Sequence, residues 1–149
     1  MPRTPPRTAH LMASPDDAEA QFYEALREGD LDKLMDVWAD DDEVVCVHPG
    51  GPRIVGPRAI RTAFEAIFSE SRIHAELERV RRVHTLDAAM HSVVERVRVV
   101  TPQGPRTAFV MATNVYVKTA EGWRMVAHHA SPGTDTEAPE IAEAPSVLH

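Results

Sequence analysis

From Ser71 to Pro132 the chain reads as four long extended segments whose links are too short to hold a helix. The segments run over about 72–84, 89–101, 106–119 and 122–131, and the links are Leu86-Asp87, Pro102-Gln103-Gly104-Pro105 and Ala120-Glu121-Gly122. Two parallel neighbours need a crossover of roughly a dozen residues or more, so these strands pair antiparallel, as a meander. Whatever precedes them must cover one face of that sheet.

The preceding residues carry three helix patterns. Ser14 is a good N-cap, Pro15 suits the first helical position, and Asp16 and Asp17 suit the positive end of the dipole. Ala18, Phe22, Ala25 and Leu26 make the inner stripe, and Gly29 ends it. Asp30 caps a short second helix with Leu31, Leu34, Met35 and Trp38. Gly56-Pro57 opens a third, whose Ile60, Ala63, Phe64, Ile67 and Phe68 follow helical spacing throughout. Between the second and third, Glu43–His48 and Arg53–Val55 form a short hairpin around Pro49-Gly50-Gly51-Pro52. Helices first and sheet afterwards predict an α+β domain. Three N-terminal helices on the concave face of a strongly curved mixed, mostly antiparallel sheet enclose a pocket rather than a solid core. The domain is expected over 15–132. A proline-rich flexible segment, 1–14, precedes it, and a flexible acidic tail, 133–149, follows.

The inner faces mix apolar and polar side chains. On the second long strand His91, Val93, Glu95, Val97 and Val99 share a face, which places Glu95 inside. On the third, Val110, Ala112, Asn114 and Tyr116 are taken as inward. On the fourth, period two puts Trp123, Met125, Ala127, His129 and Ser131 inward, and turns His128 toward solvent or another subunit. A carboxyl in an apolar hollow has its pKa raised by desolvation, and a nearby imidazole can exchange a proton with it. Glu95 and His129 are therefore the candidate catalytic pair, with Asn114 or Tyr116 donating to a developing oxyanion. His48 is expected at the cavity mouth, and Trp38 and Phe64 as its flat walls.

Composition closes several other routes. The formal net charge of -7 disfavours nucleic acid and anionic lipid as partners. No apolar stretch approaches the roughly 20 residues of a membrane helix, and the N-terminus has no apolar signal core, so a cytoplasmic protein is expected. The single cysteine, Cys46, allows no intrachain disulfide, and its apolar neighbours point to a buried thiol. His128 and His129 point to opposite faces of a regular strand, and no histidine spacing matches a zinc signature, so no metal is expected.

Three stretches resemble the SnoaL-like domain of the nuclear transport factor 2-like superfamily, the cystatin-like cone. They are Val44-Val45-Cys46-Val47-His48-Pro49 followed by Gly56-Pro57-Arg58-Ala59-Ile60, then Val94-Glu95 with Ala112-Thr113-Asn114-Val115-Tyr116, and finally the run Gly122–Pro132. The resemblance spans about 16–132. It implies a cone-shaped α+β domain with a central pocket and no cofactor, commonly a homodimer through the outer sheet face. Val94, Val100, Met111, Val115 and Val126 suit such a contact. Relatives of this kind include cofactor-free isomerases, polyketide cyclases, dehydratases and epoxide hydrolases, and also non-catalytic modules such as the kinase association domain. Relatives often carry a histidine where this chain has Ala127. The base and tyrosine of steroid isomerases have no clear counterpart. Two functions remain open at this level. One is a cofactor-independent acid/base enzyme on a small apolar or carbonyl-bearing molecule; the other is a ligand-binding or assembly module without chemistry.

Overall fold

A computed structural model describes residues 12–134 and 140–143, and leaves out the side chains of 99–101. Most of the two expected flexible ends therefore lies outside the described residues. Helix α1 spans Pro15–Glu28, with the Ser14 hydroxyl accepting from the Asp17 N–H at 3.1 Å. It stops at Gly29, which takes φ 66°. A side chain there would be strained, and its Cβ would meet Arg72 Nε at 2.9 Å. Helix α2 spans Leu31–Val37, with Asp30 Oδ1 accepting from the Lys33 N–H at 3.0 Å. Strands β1 (Val45–Val47) and β2 (Arg53–Val55) form the hairpin, and α3 runs over Pro57–Glu70. The meander is β3 (His74–His84), β4 (Ala88–Thr101), β5 (Gly104–Thr119) and β6 (Gly122–Pro132).

These strands form one sheet in the order β2-β1-β6-β5-β4-β3. Every neighbour is antiparallel except β1 and β6, which run parallel. The α+β class, the three helices and the mixed, mostly antiparallel sheet are as expected from the sequence. Phe22, Leu34, Trp38, Ile60 and Phe64 of the helical layer are buried with Val93, Ala112 and Met125 of the sheet. The Phe22 ring lies at the centre of that core. It meets Tyr23, Trp38 and Phe64 edge-on at centroid distances of 5.1, 6.5 and 6.3 Å.

Two irregularities bend the sheet. In β3, Arg79 and Val80 together oppose one residue of β4, and Arg79 adopts φ 48°. In β6, Val115 faces Ala127 while Tyr116 faces Met125, so Val126 is an extra residue without a partner. A bulge of this kind increases local twist and reverses the inside–outside alternation beyond it. Among the described residues no helix is long and apolar enough to cross a membrane.

Candidate functional site

The β6 bulge rearranges the expected site. Beyond Val126 the buried residues are His128 and Ala130, while His129 and Ser131 are exposed. His129 opposes Thr113 on the outer face, and His128 opposes Asn114 on the inner one. The expectation of an inward His129 is thus corrected, and with it the expectation of an outward His128. Period-two counting assumes a regular strand, and one inserted residue inverts it. Glu95 and His129 stand on opposite sides of the sheet and cannot exchange a proton directly.

His128 takes the inward place and joins a directed chain of hydrogen bonds. Its Nδ1 lies 2.6 Å from Asn114 Oδ1. Asn114 Nδ2 donates to the Tyr23 hydroxyl at 3.0 Å, and that hydroxyl donates to Glu95 Oε2 at 2.6 Å. Asn114 Oδ1 can only accept, so the His128 proton sits on Nδ1. Complete burial lowers the His128 pKa from 6.5 to about 3, with His48 and His129 adding to the fall, so the ring is neutral. Each group donates to the next and the last, Tyr23, donates to Glu95, an arrangement in which each bond strengthens the next. Burial nevertheless outweighs them and pushes the Glu95 carboxyl from 4.5 up to about 7; the Tyr23 bond opposes the rise and the Glu19 charge adds to it. Tyr23 itself is held well above 10, by burial first and then by the Glu95 charge.

Helix geometry explains how α1 supplies this chain. Glu19 and Tyr23 are four residues apart and so lie on one helical face. Across from them on β4, His91 and Glu95 also lie on one face, since four is an even step on a strand. Tyr23 meets Glu95, and Glu19 meets His91: the Glu19 Oε2 to His91 Nδ1 distance is 2.8 Å. Tyr116 donates to the same Glu19 oxygen at 3.0 Å. Both Glu19 and His91 are buried.

The remaining expected residues divide between these groups and the core. Asn114 and Tyr116 are inward and fully buried, Asn114 in the Glu95 chain and Tyr116 on Glu19. His48 is half-buried on the inner side after β1, edge-on to the Phe64 ring at 5.0 Å and with its Nε2 3.9 Å from Cys46 Sγ. Burial lowers the His48 pKa. Cys46 is a buried free thiol pushed up to about 12 by burial and the Glu95 charge, so it is protonated and unreactive at neutral pH. Trp38 and Phe64 are packed against Phe22 in the core.

Two of the openings among the described residues bear on the site. A broad groove of about 1220 Å³ runs past Arg27, Arg72, Arg98 and His74 on the rim and touches none of the buried chain. A smaller opening of about 430 Å³ lies between α1 and β3, where Glu19, Tyr23, Ala20, Ala75 and Leu77 line it together with the charged Asp16, Glu24, Arg27, Glu76 and Arg82. Leu77 is the register partner of Glu95. The smaller opening is lined by Tyr23, the residue whose hydroxyl donates to Glu95.

Residues 16–135 match the model of the SnoaL-like domain. The chain belongs to this family. Solved structures agree with the assignment. A candidate calcium/calmodulin-dependent protein kinase type II association domain from Thiobacillus denitrificans is 36% identical, with a TM-score of 0.74 over 82% of this chain and 97% of that one. A candidate dehydratase of the NTF2-like family from Streptomyces avermitilis is 31% identical, with a TM-score of 0.71 over 77% and 91%. The CaMKII hub of S. rosetta is 25% identical, with a TM-score of 0.63 over 89% and 100%. Among curated proteins nothing matches.

In this SnoaL-like domain, sequence reasoning gave no site role to Tyr23, Glu19, His91 or His128. His91 was already on the Glu95 face by alternation. Glu19 and Tyr23 flank the apolar stripe of α1 at a spacing of four, a detectable signal for an acid and a phenol turned inward together. The bulge at Val126 has no comparable local mark, because valine is an ordinary strand residue.

Proposed function

We propose that this SnoaL-like domain binds a small, uncharged, carbonyl-bearing molecule in the cavity between α1 and β3, and moves a proton on it through Tyr23 and Glu95. The observation that carries this reading is a cavity-lining tyrosine whose hydroxyl donates at 2.6 Å to a buried carboxyl raised to about 7. A base tuned close to the working pH both takes and returns protons efficiently. With Glu95 ionised, Tyr23 accepts a proton from the substrate carbon as its own passes to Glu95. The products are the enolate, an intact tyrosine and a neutral carboxylic acid. With Glu95 protonated, the relay runs in reverse and returns the proton. Two buried carboxyls, Glu19 and Glu95, disfavour an anionic ligand, and Ala20, Ala75 and Leu77 offer a small apolar patch among the charged Asp16, Glu24, Arg27, Glu76 and Arg82.

The test is exchange of α-protons for deuterium in a panel of cyclic ketones and enones, followed by proton NMR with the protein present. Glu95→Gln and Tyr23→Phe are expected to slow the catalysed exchange by roughly 10²–10⁴-fold. Equal exchange rates in the wild type and both variants, or none above the protein-free rate, end the reading.

A second reading has its own support. Two of the similar structures are described as a kinase association domain and a hub. The outer sheet face of this chain exposes Met111 at 37%, beside half-buried Val94, Val115 and Val126. The Val100 side chain lies outside those described. Self-association through this face, at the least as a homodimer, would cover the patch. Light scattering after gel filtration tests it: Met111→Glu is expected to shift the mass toward the 16.5 kDa monomer. An unchanged mass counts against this face.

A further inference from the structure

Away from the Glu95 chain, His84 at the end of β3, His91 near the start of β4 and Asp16 in the first turn of α1 form a second polar cluster that the proposed reaction does not use. His84 and His91 face each other with Nε2 to Nε2 at 2.8 Å. Their ring planes differ by 20° and their centroids are 5.1 Å apart, which is what two nearly coplanar rings give when they meet nitrogen to nitrogen. Asp16 Oδ1 lies 3.9 Å from the same His91 Nε2. The Asp16, Glu19 and His91 ligand atoms all fall within 4.8 Å of one another.

We propose that Asp16, His84 and His91 bind a divalent transition metal of the Zn²⁺ class, with Glu19 as a positioning residue behind them. The proton inventory leads there. In the neutral ring, the His91 Nδ1 to Glu19 Oε2 bond at 2.8 Å places the His91 proton on Nδ1 and leaves a lone pair on Nε2. In the neutral pair the hydrogen between the two Nε2 atoms belongs to His84. That bridging proton occupies a place where a cation would be shared by two imidazoles and a carboxylate. A carboxylate gripping the remote nitrogen of a histidine is the usual support for a metal-binding imidazole, and Tyr116 fixes Glu19 in turn at 3.0 Å. His91 is fully buried and serves as the fixed point. His84 and Asp16 are exposed and can adjust. Two ligands each about 2.05 Å from one tetrahedral ion are roughly 3.3 Å apart, so the exposed His84 ring must swing out of its head-on alignment with His91 as its gap opens and the Asp16 gap closes. Two nitrogens and one oxygen select zinc, cobalt or nickel over magnesium or calcium. One group opposes the ion: Arg82 Nε holds Asp16 Oδ1 at 2.9 Å and has to swing away. Asp16 and Glu19 also line the cavity between α1 and β3, but the measurement is metal affinity, which does not depend on the acid/base reading.

The experiment is calorimetric titration of the tag-free full chain with Zn²⁺, with Mg²⁺ as control and Co²⁺ as an absorbance probe of coordination. One Zn²⁺ per chain is expected, with a rise in Tm that Mg²⁺ does not reproduce. His84→Ala and Asp16→Asn, both at exposed positions, should each weaken binding by about tenfold or more, as should Glu19→Gln behind His91. Arg82→Gln should tighten it, since the competing cation is gone. Nitrogen-15 spectra of the histidine rings should show metal on Nε2 and hydrogen on Nδ1 of His91 in the wild type, and lose that tautomer preference in Glu19→Gln. Absence of Zn²⁺ binding, or affinity unchanged in both His84→Ala and Asp16→Asn, overturns the site. So does a Tm rise with Mg²⁺ equal to that with Zn²⁺.

Discussion

Replacing Glu95 by glutamine should leave the protein nearly as stable at pH 5 and markedly more stable than the wild type above pH 7. Glu95 is 6% exposed, so water screens it little. Its pKa rises from 4.5 to about 7 on folding, chiefly through loss of hydration. Below pH 4.5 the folded and unfolded chains both hold the proton, and burial of the charge costs nothing. Between 4.5 and about 7 the folded chain keeps a proton that the unfolded chain releases, so stability falls as pH rises. The slope is about 1.4 kcal/mol per pH unit, and the total loss on the order of 3 kcal/mol, complete above pH 7. Glutamine has the same shape, still accepts from Tyr23 and does not titrate. Urea unfolding followed by the fluorescence of buried Trp38 and Trp123, from pH 5 to pH 8.5, gives the two stability curves. Their difference isolates Glu95, because contributions shared by both proteins cancel. His128 is one of these. Its folded pKa is lowered to about 3, so its contribution is present above pH 6.5 and fades as pH falls below it. A difference curve that is flat with pH, or that favours the wild type increasingly as pH rises, refutes the argument that burial dominates the Tyr23 bond to Glu95.

Two further outcomes follow from the same geometry. Tyr23→Phe removes the hydroxyl between Asn114 and Glu95, costs about 1–3 kcal/mol in urea unfolding, and raises the Glu95 pKa further, since the lost bond was the one opposing the rise. A carbon-13 titration of the Glu95 carboxyl reads that change directly. His128→Ala strands Asn114 Oδ1 in the core and costs about 1–3 kcal/mol, whereas His129→Ala on the exposed face changes stability by less than about 0.5 kcal/mol. Equal costs from the two histidines would contradict the bulge at Val126.

The order of elements and their ends were legible in the residues. Caps at Ser14 and Asp30, the breaker at Gly29, and helical spacing from Ile60 to Phe68 act within a few residues of themselves. The meander followed from link length alone. Glu95 and Asn114 were placed inward correctly, because β4 and β5 pair in continuous register around them. The facing of β6 was not legible. Its alternation is set by pairing with β5 and β1, and the extra residue is defined only against those partners.

The linear pattern of caps, breakers, apolar spacing and short links determined that three helices precede a meander and that a carboxyl is buried within it. These are local preferences and chain-length limits, which any fold of this sequence must respect. Which histidine joins that carboxyl's hydrogen-bond chain was decided only in three dimensions. The Val126 bulge arises from strand pairing across the sheet, and the Tyr23–Glu95 and Glu19–His91 contacts arise from docking α1 on β4, two elements separated by 72 residues at each contact.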